Sequence, residues 1–343
     1  LSTIKRGKQG IQKKRNKIPN KGKFQMRSLP LGSTGLQVSA LALGCLNFGS
    51  KTDQITSYRL LDHYRDAGGT FLDTANNYAF WNKGCVGGES ELLLGQWMRE
   101  RHNRSHMFVA TKVGAKPLFP GGGFENKEGL GRKAIEQALD ASLQRLGTDY
   151  IDLYYAHIDD VHTSLEETLE TFDSLVRSGK VRTVGCSNYQ LSRVIEASNI
   201  SKEKNIVSYS CIQQRYTYLH PKSDADFGIQ VSADVELLEY CRRNKDIVML
   251  AYSPLLHGAY TRQGESFPTA YEHPSSKKRL SVLTEVATEV GGTLNQIILA
   301  WMLQHSPPTI PVIAASSSKQ LQENLDSLTL HLSQEQMHRL HQA

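Results

Sequence analysis

Short apolar runs recur along the chain, and between them lie stretches whose apolar residues repeat at helical spacing. The runs are 40–46 (ALALGCL), 70–75, 107–113, 150–157, 182–187, 209–214, 247–253 and 309–315. Their length suits strands, and their near-continuous apolar character suits strands buried on both faces. The intervening segments 55–67, 89–102, 128–146, 165–178, 190–198, 232–244, 279–306 (broken at Gly291-Gly292) and 318–328 read as helices. In one of them Leu165, Leu169, Phe172, Leu175 and Val176 keep a single face apolar. Ser164 with Glu167 has capping-box spacing ahead of that helix, and Gly179 with Lys180 suits its end. Eight strand–helix units predict a parallel sheet, and the count favours a closed barrel over a doubly wound sheet. Residues 27–39 read as a hairpin around a Gly-Ser-Thr-Gly turn. The expected fold class is therefore α/β: a (β/α)8 TIM barrel with an N-terminal β-hairpin and extra helices near the C-terminus.

Polar residues interrupt the ends of these runs. Asp73 and Tyr78 follow the second, Lys112 closes the third and His157 closes the fourth. In a (β/α)8 barrel the C-terminal strand ends carry the active site. A carboxylate, a phenol, an ammonium and an imidazole gathered there make a proton-transfer site. A cation beside the tyrosine is expected to lower its pKa from about 10. Asp73 would hold Lys112 ionised, and His157 would hydrogen-bond a substrate oxygen. Taken singly, each has a plainer reading: a turn aspartate, a solvated strand-end lysine, a core histidine. Two long loops, 114–127 and 254–278, follow the third and seventh strands and are placed to cover this face.

Charge divides the chain unevenly. Nine lysines and arginines fall within residues 1–26 with no acid, leaving 31 basic against 34 acidic residues in the rest. The net charge of +6 therefore belongs to the tail. The tail reads as disordered or as a non-native extension, and 27–343 as a single domain. The tail has no apolar stretch of the kind a secretory signal needs. No run reaches the roughly 20 apolar residues that span a bilayer. Five cysteines, odd in number and without C-x-x-C spacing, speak against a disulfide framework or a structural zinc. A cytoplasmic setting is expected.

Several segments together resemble the aldo-keto reductases. They are 31–39 (LGSTGLQVS), 72–78 (LDTANNY), 110–114 (ATKVG), 151–157 (IDLYYAH), 185–189 (GCSNY), 251–255 (AYSPL) and 320–325 (QLQENL), in order and spanning about residues 27–330. The resemblance implies hydride transfer between a nicotinamide cofactor and a carbonyl or alcohol substrate, such as an aldehyde, ketone or aldose. It makes Tyr78 the general acid/base, tuned by Lys112 and Asp73, with His157 orienting the carbonyl. It implies that Ser187, Asn188 and Gln213 hold the nicotinamide carboxamide and that Tyr252 stacks on the ring. Gly44, Ser253 and Leu255 are carried over to the cofactor, as are Ser316, Gln320 and Asn324 at its adenosine end. Phe48 is assigned to the substrate pocket. Residues 79–88 depart from the family pattern in being longer than its usual short Gly-rich link; Phe80 and Trp81, directly after Tyr78, are expected to line the pocket, with a cap on the barrel rim as the alternative for Trp81. NADP(H) is favoured and NAD(H) possible. Ala314 and Ser316 stand where relatives often place Gly, Lys or Arg, and Lys319 with the hydroxyls of 316–318 remains to meet a phosphate at a helix start. The same resemblance leaves an alternative, a cofactor-binding regulatory subunit similar to potassium-channel beta subunits. The expected partner is a small molecule rather than nucleic acid or membrane, and no metal is expected.

Two motifs are set aside. Residues 129–134 (GLGRKA) match the dinucleotide fingerprint but follow polar residues rather than a strand. His157, Asp159, Asp160 and His162 suggest a barrel metallohydrolase, but no His-x-His follows strand one and Lys112 would oppose a cation.

Overall fold

Alternation along the strands decides which side chains fill the centre of this molecule. The computed structural model describes residues 26–119, 121–262 and 267–343. Strands β1 (Ser28–Pro30) and β2 (Gln37–Ser39) form an antiparallel hairpin. Then come β3 (Ala42–Gly44), β4 (Phe71–Asp73), β5 (Phe108–Val113), β6 (Ile151–Ala156), β7 (Val181–Ser187), β8 (Cys211–Arg215), β9 (Val248–Tyr252) and β10 (Ile310–Ile313). These eight are parallel and close into a barrel, with β10 pairing to β3. The expected (β/α)8 architecture and its hairpin are what the chain forms.

The side chains of Phe71, Phe108, Ala110, Leu153, Tyr155, Cys211, Leu250, Ile310 and Val312 make one inner cluster. Their neighbours Leu72, Val109, Tyr154, Val184, Ile212 and Met249 belong to the larger cluster between barrel and helices. A period of two thus sends alternate residues inward. Followed upward, the inner series changes character: Phe71 gives way to Asp73, Ala110 to Lys112, Tyr155 to His157. The hairpin plugs the other end. Leu31 and Val38 are fully buried in the inner cluster. Gly32 has φ +55, and a Cβ there would lie 2.1 Å from the Asp246 carbonyl oxygen, so this contact admits only glycine.

The helices are α1 (Gln54–Asp66), α2 (Glu89–Arg101), α3 (Arg132–Leu146), α4 (Leu165–Arg177), α5 (Leu191–Lys204), α6 (Val235–Arg243), α7 (Pro274–Val290), α8 (Leu294–Leu303), α9 (Ser318–Asp326) and α10 (Gln334–Gln342). Several bounds differ from expectation. Helix α3 starts at Arg132 rather than 128, because the Glu128 side chain turns inward to accept hydrogen bonds. Helix α7 starts earlier than expected, with Pro274 in its first turn, where a missing N–H costs nothing. Helix α5 runs on to Lys204, closed by Asn205 in the left-handed region. Helix α10 was not foreseen. It carries a full capping box between Ser333 and Gln336. At α4 only half of the expected box forms. Ser164 caps the Glu167 N–H, but Glu167 Oε1 accepts from the Arg132 N–H instead of returning to Ser164.

The basic tail lies outside the described residues except for Met26, which packs on the core beside Gly68. Among the described residues no helix is long and apolar enough to cross a membrane. All five cysteines are free, and Cys45, Cys186, Cys211 and Cys241 are buried.

Candidate active site

Register brings the predicted residues together. Asp73 ends β4, Lys112 lies one residue from the end of β5, and His157 follows β6, its N–H donating to the Val113 carbonyl at 2.8 Å. Lys112 is fully buried, and its Nζ donates to Asp73 Oδ1 at 2.6 Å, to the Thr74 carbonyl at 2.8 Å and to Tyr78 Oη at 2.8 Å. Gln213 Nε2 donates to the other carboxylate oxygen, Asp73 Oδ2, at 2.7 Å. A buried ion pair is tolerable only when its remaining polar valences are met, and here they are. Two aromatic rings also face the ammonium, Tyr78 at 4.8 Å and Tyr155 at 5.6 Å. Gly185 on β7 makes room for Tyr155, since a Cβ there would approach its ring to 2.8 Å.

Burial pushes the Tyr78 phenol well above its ordinary pKa, and the Asp73 carboxylate pushes the same way. The expected lowering by Lys112 is not what the site does. The ammonium is already matched by Asp73, while burial penalises the phenolate directly. Burial likewise lowers the Lys112 pKa, with Asp73 opposing. Burial and then the Lys112 charge drive His157 well below its ordinary value. Its ring is therefore neutral near neutral pH, its Nδ1 is buried without a hydrogen-bond partner, and it stands edge-on to Tyr78 at 6.0 Å. The arrangement holds a protonated phenol next to a cation and offers a neutral imidazole beside it.

A second set joins the first through hydrogen bonds. Ser187 Oγ donates to the Gln213 carbonyl at 2.7 Å. Asn188 Nδ2 donates to the His157 carbonyl at 3.0 Å and to Ser187 Oγ at 3.1 Å. Asn188 Oδ1 accepts from the Tyr252 hydroxyl at 2.7 Å and from the Val231 N–H at 3.1 Å. Ser187, Asn188, Gln213 and Tyr252 are thus brought up against the four polar residues, with the Asn188 amide engaged inside the chain. Ser253 and Leu255 follow Tyr252, and Gly44 ends β3, its α-carbon facing Val312. Ser316, Gln320 and Asn324 form a separate group, Ser316 and Gln320 at the start of α9 and Asn324 in its last turn. Ser316 donates through both N and Oγ to Gln320 Oε1 at 2.8 Å, and Asn324 Nδ2 donates to the Ala314 carbonyl at 3.1 Å.

Of the three aromatics, Phe48 is 2% exposed and packs within the main core. Trp81 is 45% exposed and lies edge-on to Tyr78 at 6.4 Å. Phe80 contacts Trp81 at 5.0 Å and Phe124 of the 114–127 loop at 5.3 Å, so two loops meet in an aromatic wall beside the phenol.

Other residues at the site had not been singled out. Glu128 Oε1 accepts from Asn76 Nδ2 at 2.8 Å and from the Gly114 N–H at 2.7 Å, tying the two loops together, and its burial raises its pKa. Gln214 Oε1 accepts the Asn188 N–H at 2.6 Å. Backbone strain collects here as well. Ala79, Asn188, Ser253, Leu256 and His257 all have φ between 46 and 77°. Such conformations cost on the order of 1–3 kcal/mol each and persist where surrounding contacts impose them. The sequence gives no sign of them, because the strain is set by tertiary contacts.

Comparison with known proteins agrees with this geometry. Residues 40–343 match the Aldo/keto reductase family. The uncharacterized oxidoreductase YrpG of Bacillus subtilis (strain 168) is 31% identical over 316 residues, covering 89% of this chain and 92% of that protein. Norsolorinic acid reductase stcV of Emericella nidulans is 31% identical over 89% of this chain and 78% of its own length. The crystal structure of a thermostable aldo-keto reductase, Tm1743, in complex with the inhibitor epalrestat superposes with a TM-score of 0.71 at 29% identity, covering 92% of this chain and 98% of that one. With the closed barrel and its polar strand ends already established, these matches show that the chain belongs to the aldo/keto reductase family of oxidoreductases.

Proposed function

We propose that this chain reduces a bulky apolar aldehyde or ketone with NADP(H), with Tyr78 as the proton donor, and runs the reverse oxidation by the same groups. The observation that carries this reading is the buried Lys112 ammonium held 2.6 Å from Asp73 and 2.8 Å from the Tyr78 hydroxyl.

The cofactor, when bound, supplies the hydride. The polar side chains at the ends of β7 and β8 fit a carboxamide, since Asn and Gln present donors and acceptors in one plane. Asn188 would exchange one of its internal partners to receive it. The left-handed backbone at Ser253, Leu256 and His257 supports a closely fitted phosphate-bearing segment after β9. At the start of α9, the exposed Lys319 and the hydroxyls of 316–318 suit an added phosphate, which favours NADP(H) over NAD(H).

The neutral His157 ring hydrogen-bonds the substrate carbonyl and polarises it. As hydride reaches the carbonyl carbon, negative charge grows on the oxygen, and an alkoxide is a stronger base than a phenolate. The Tyr78 proton then moves to that oxygen, and the phenolate left behind lies against the Lys112 ammonium. The raised phenol pKa keeps Tyr78 protonated until this moment. Phe80, Trp81 and Phe124 favour a substrate with aromatic or bulky apolar surface.

The test is a kinetic screen of carbonyl compounds with NADPH and NADH, read by nicotinamide absorbance. Aromatic aldehydes and ketones are expected to show higher kcat/KM than small aliphatic ones. Tyr78→Phe should lower kcat by roughly 10²–10⁴-fold, the usual worth of positioned proton transfer, while cofactor still binds. Tight NADPH binding without turnover on any carbonyl would instead favour a regulatory subunit.

A further inference from the structure

Tyr155 is a buried ionisable residue that the proposed chemistry leaves unused. It points into the barrel from β6 and has no exposure. The parallel register sets it directly beside Lys112 on β5 and Gly185 on β7. Lys112 Nζ stands over its ring, 5.6 Å from the centre. That is within the roughly 6 Å over which a ring face attracts a cation, and the attraction is strongest where water is excluded. The three ammonium protons go to Asp73, the Thr74 carbonyl and Tyr78, so none is left for another acceptor. On the β6 side the charge is met by a ring face instead.

The Tyr155 hydroxyl is engaged elsewhere. It accepts from Cys211 Sγ on β8 at 3.6 Å. The ring, rather than the phenol proton, is therefore what Lys112 meets. Gly185 keeps the place open for it. This glycine does not lie in the left-handed region, so its missing Cβ rather than its backbone freedom is what the strand uses. A Cβ there would stand 2.8 Å from the Tyr155 ring and 2.7 Å from Cys211 Sγ. Glycine inside a strand weakens it, and the ring is what fills the space gained.

We propose that Tyr155 is a positioning residue of the proton-transfer site: its ring face stabilises the Lys112 ammonium from the β6 side and keeps it charged beside Tyr78 toward alkaline pH. This role rests on Tyr78 being the proton donor. Besides Asp73 and Tyr78, the ionisable groups that bear on Lys112 are Cys45 after β3, Glu91 on α2 and His157 after β6. All of them are retained in the variants that test the ring.

Two readouts in the full chain are the alkaline limb of kcat for carbonyl reduction and the pH titration of the Lys112 ε-carbon, followed by carbon NMR of labelled lysine. Tyr155→Phe keeps the ring face and should leave both where the wild type has them. Tyr155→Leu removes the face, and both should move to lower pH by about one pH unit. Pentafluorophenylalanine at position 155 keeps the ring's shape but reverses the charge of its face, and should move both at least as far as leucine does. The KM for cofactor should not change in any of them. If Tyr155→Leu fails to fold, the fluorinated ring decides alone. A Lys112 titration that is the same with the fluorinated ring as with phenylalanine, or a shift in Tyr155→Phe as large as in Tyr155→Leu, would overturn the proposal. Wild-type protein that turns over no carbonyl would overturn the reading of function instead, and the Lys112 titration would still decide the part played by the ring.

Discussion

Lys112 is the residue on which the site's electrostatics turn. It is buried completely, and its charge is met by one carboxylate, one carbonyl and one hydroxyl. Removing it leaves Asp73 buried with its charge uncompensated. Lys112→Met should therefore destabilise the protein by about 3–5 kcal/mol, seen as a lower melting temperature. Adding Asp73→Asn should return part of that loss, because the orphaned charge goes with it. A result in which the double variant melts below the single one would contradict this account. The four polar residues were legible in the sequence because three of them lie at the ends of apolar runs and Tyr78 follows closely after one. The direction of the Tyr78 pKa was not legible. It is set first by burial of the phenol and then by the Asp73 charge, and both are fixed only in the packed barrel.

At the scale of elements, the apolar pattern located every barrel strand, because most of these buried parallel strands carry near-continuous apolar runs. Helix ends were less legible. Glu128 looked like the first turn of α3 and is instead a loop tie, and Glu167 looked like a capping partner and instead holds the start of a neighbouring helix. Both are exposed-type residues whose partners lie on other elements, so local spacing could not reveal them. Helix α10 begins with the pair Ser333 and Gln336, a signal the apolar pattern overshadowed. Helix packing adds a constraint of its own. Gly95 on α2 faces the end of α3, and a Cβ there would stand 2.3 Å from the Arg145 carbonyl oxygen. That atom belongs to backbone and cannot swing aside. Gly95→Ala should thus cost about 1–3 kcal/mol through overpacking, despite the better helix propensity of alanine. Thermal melts of the variant check this, and a neutral or stabilised protein would show that α2 and α3 can separate freely.

For the molecule as a whole, buried neutral histidines set the acid limit. His157 and His305 both have pKa values below the ordinary 6.5. The unfolded chain binds protons at these rings as pH falls below 6.5, while the folded chain resists. Stability is therefore full above that pH and declines below it, by at most about 1.4 kcal/mol per pH unit for each ring. For His305 the decline continues until pH reaches about 3. Melting temperatures between pH 7.5 and 5 should fall, and His305→Gln should make the fall shallower. A flat profile would mean that these rings take up protons in the folded protein over the same pH range as in the unfolded chain.

The pairing of β10 with β3 has a consequence for synthesis. The seam joins Ala42 and Leu43 to Val312 and Ile313, nearly the full length of the fold apart in sequence. While the chain emerges from the ribosome, one edge of β3 has no neighbour until Ile313 clears the exit tunnel. Closure is thus a late, long-range event, and slow translation of the last two helical units prolongs the interval in which an open strand edge can recruit another chain.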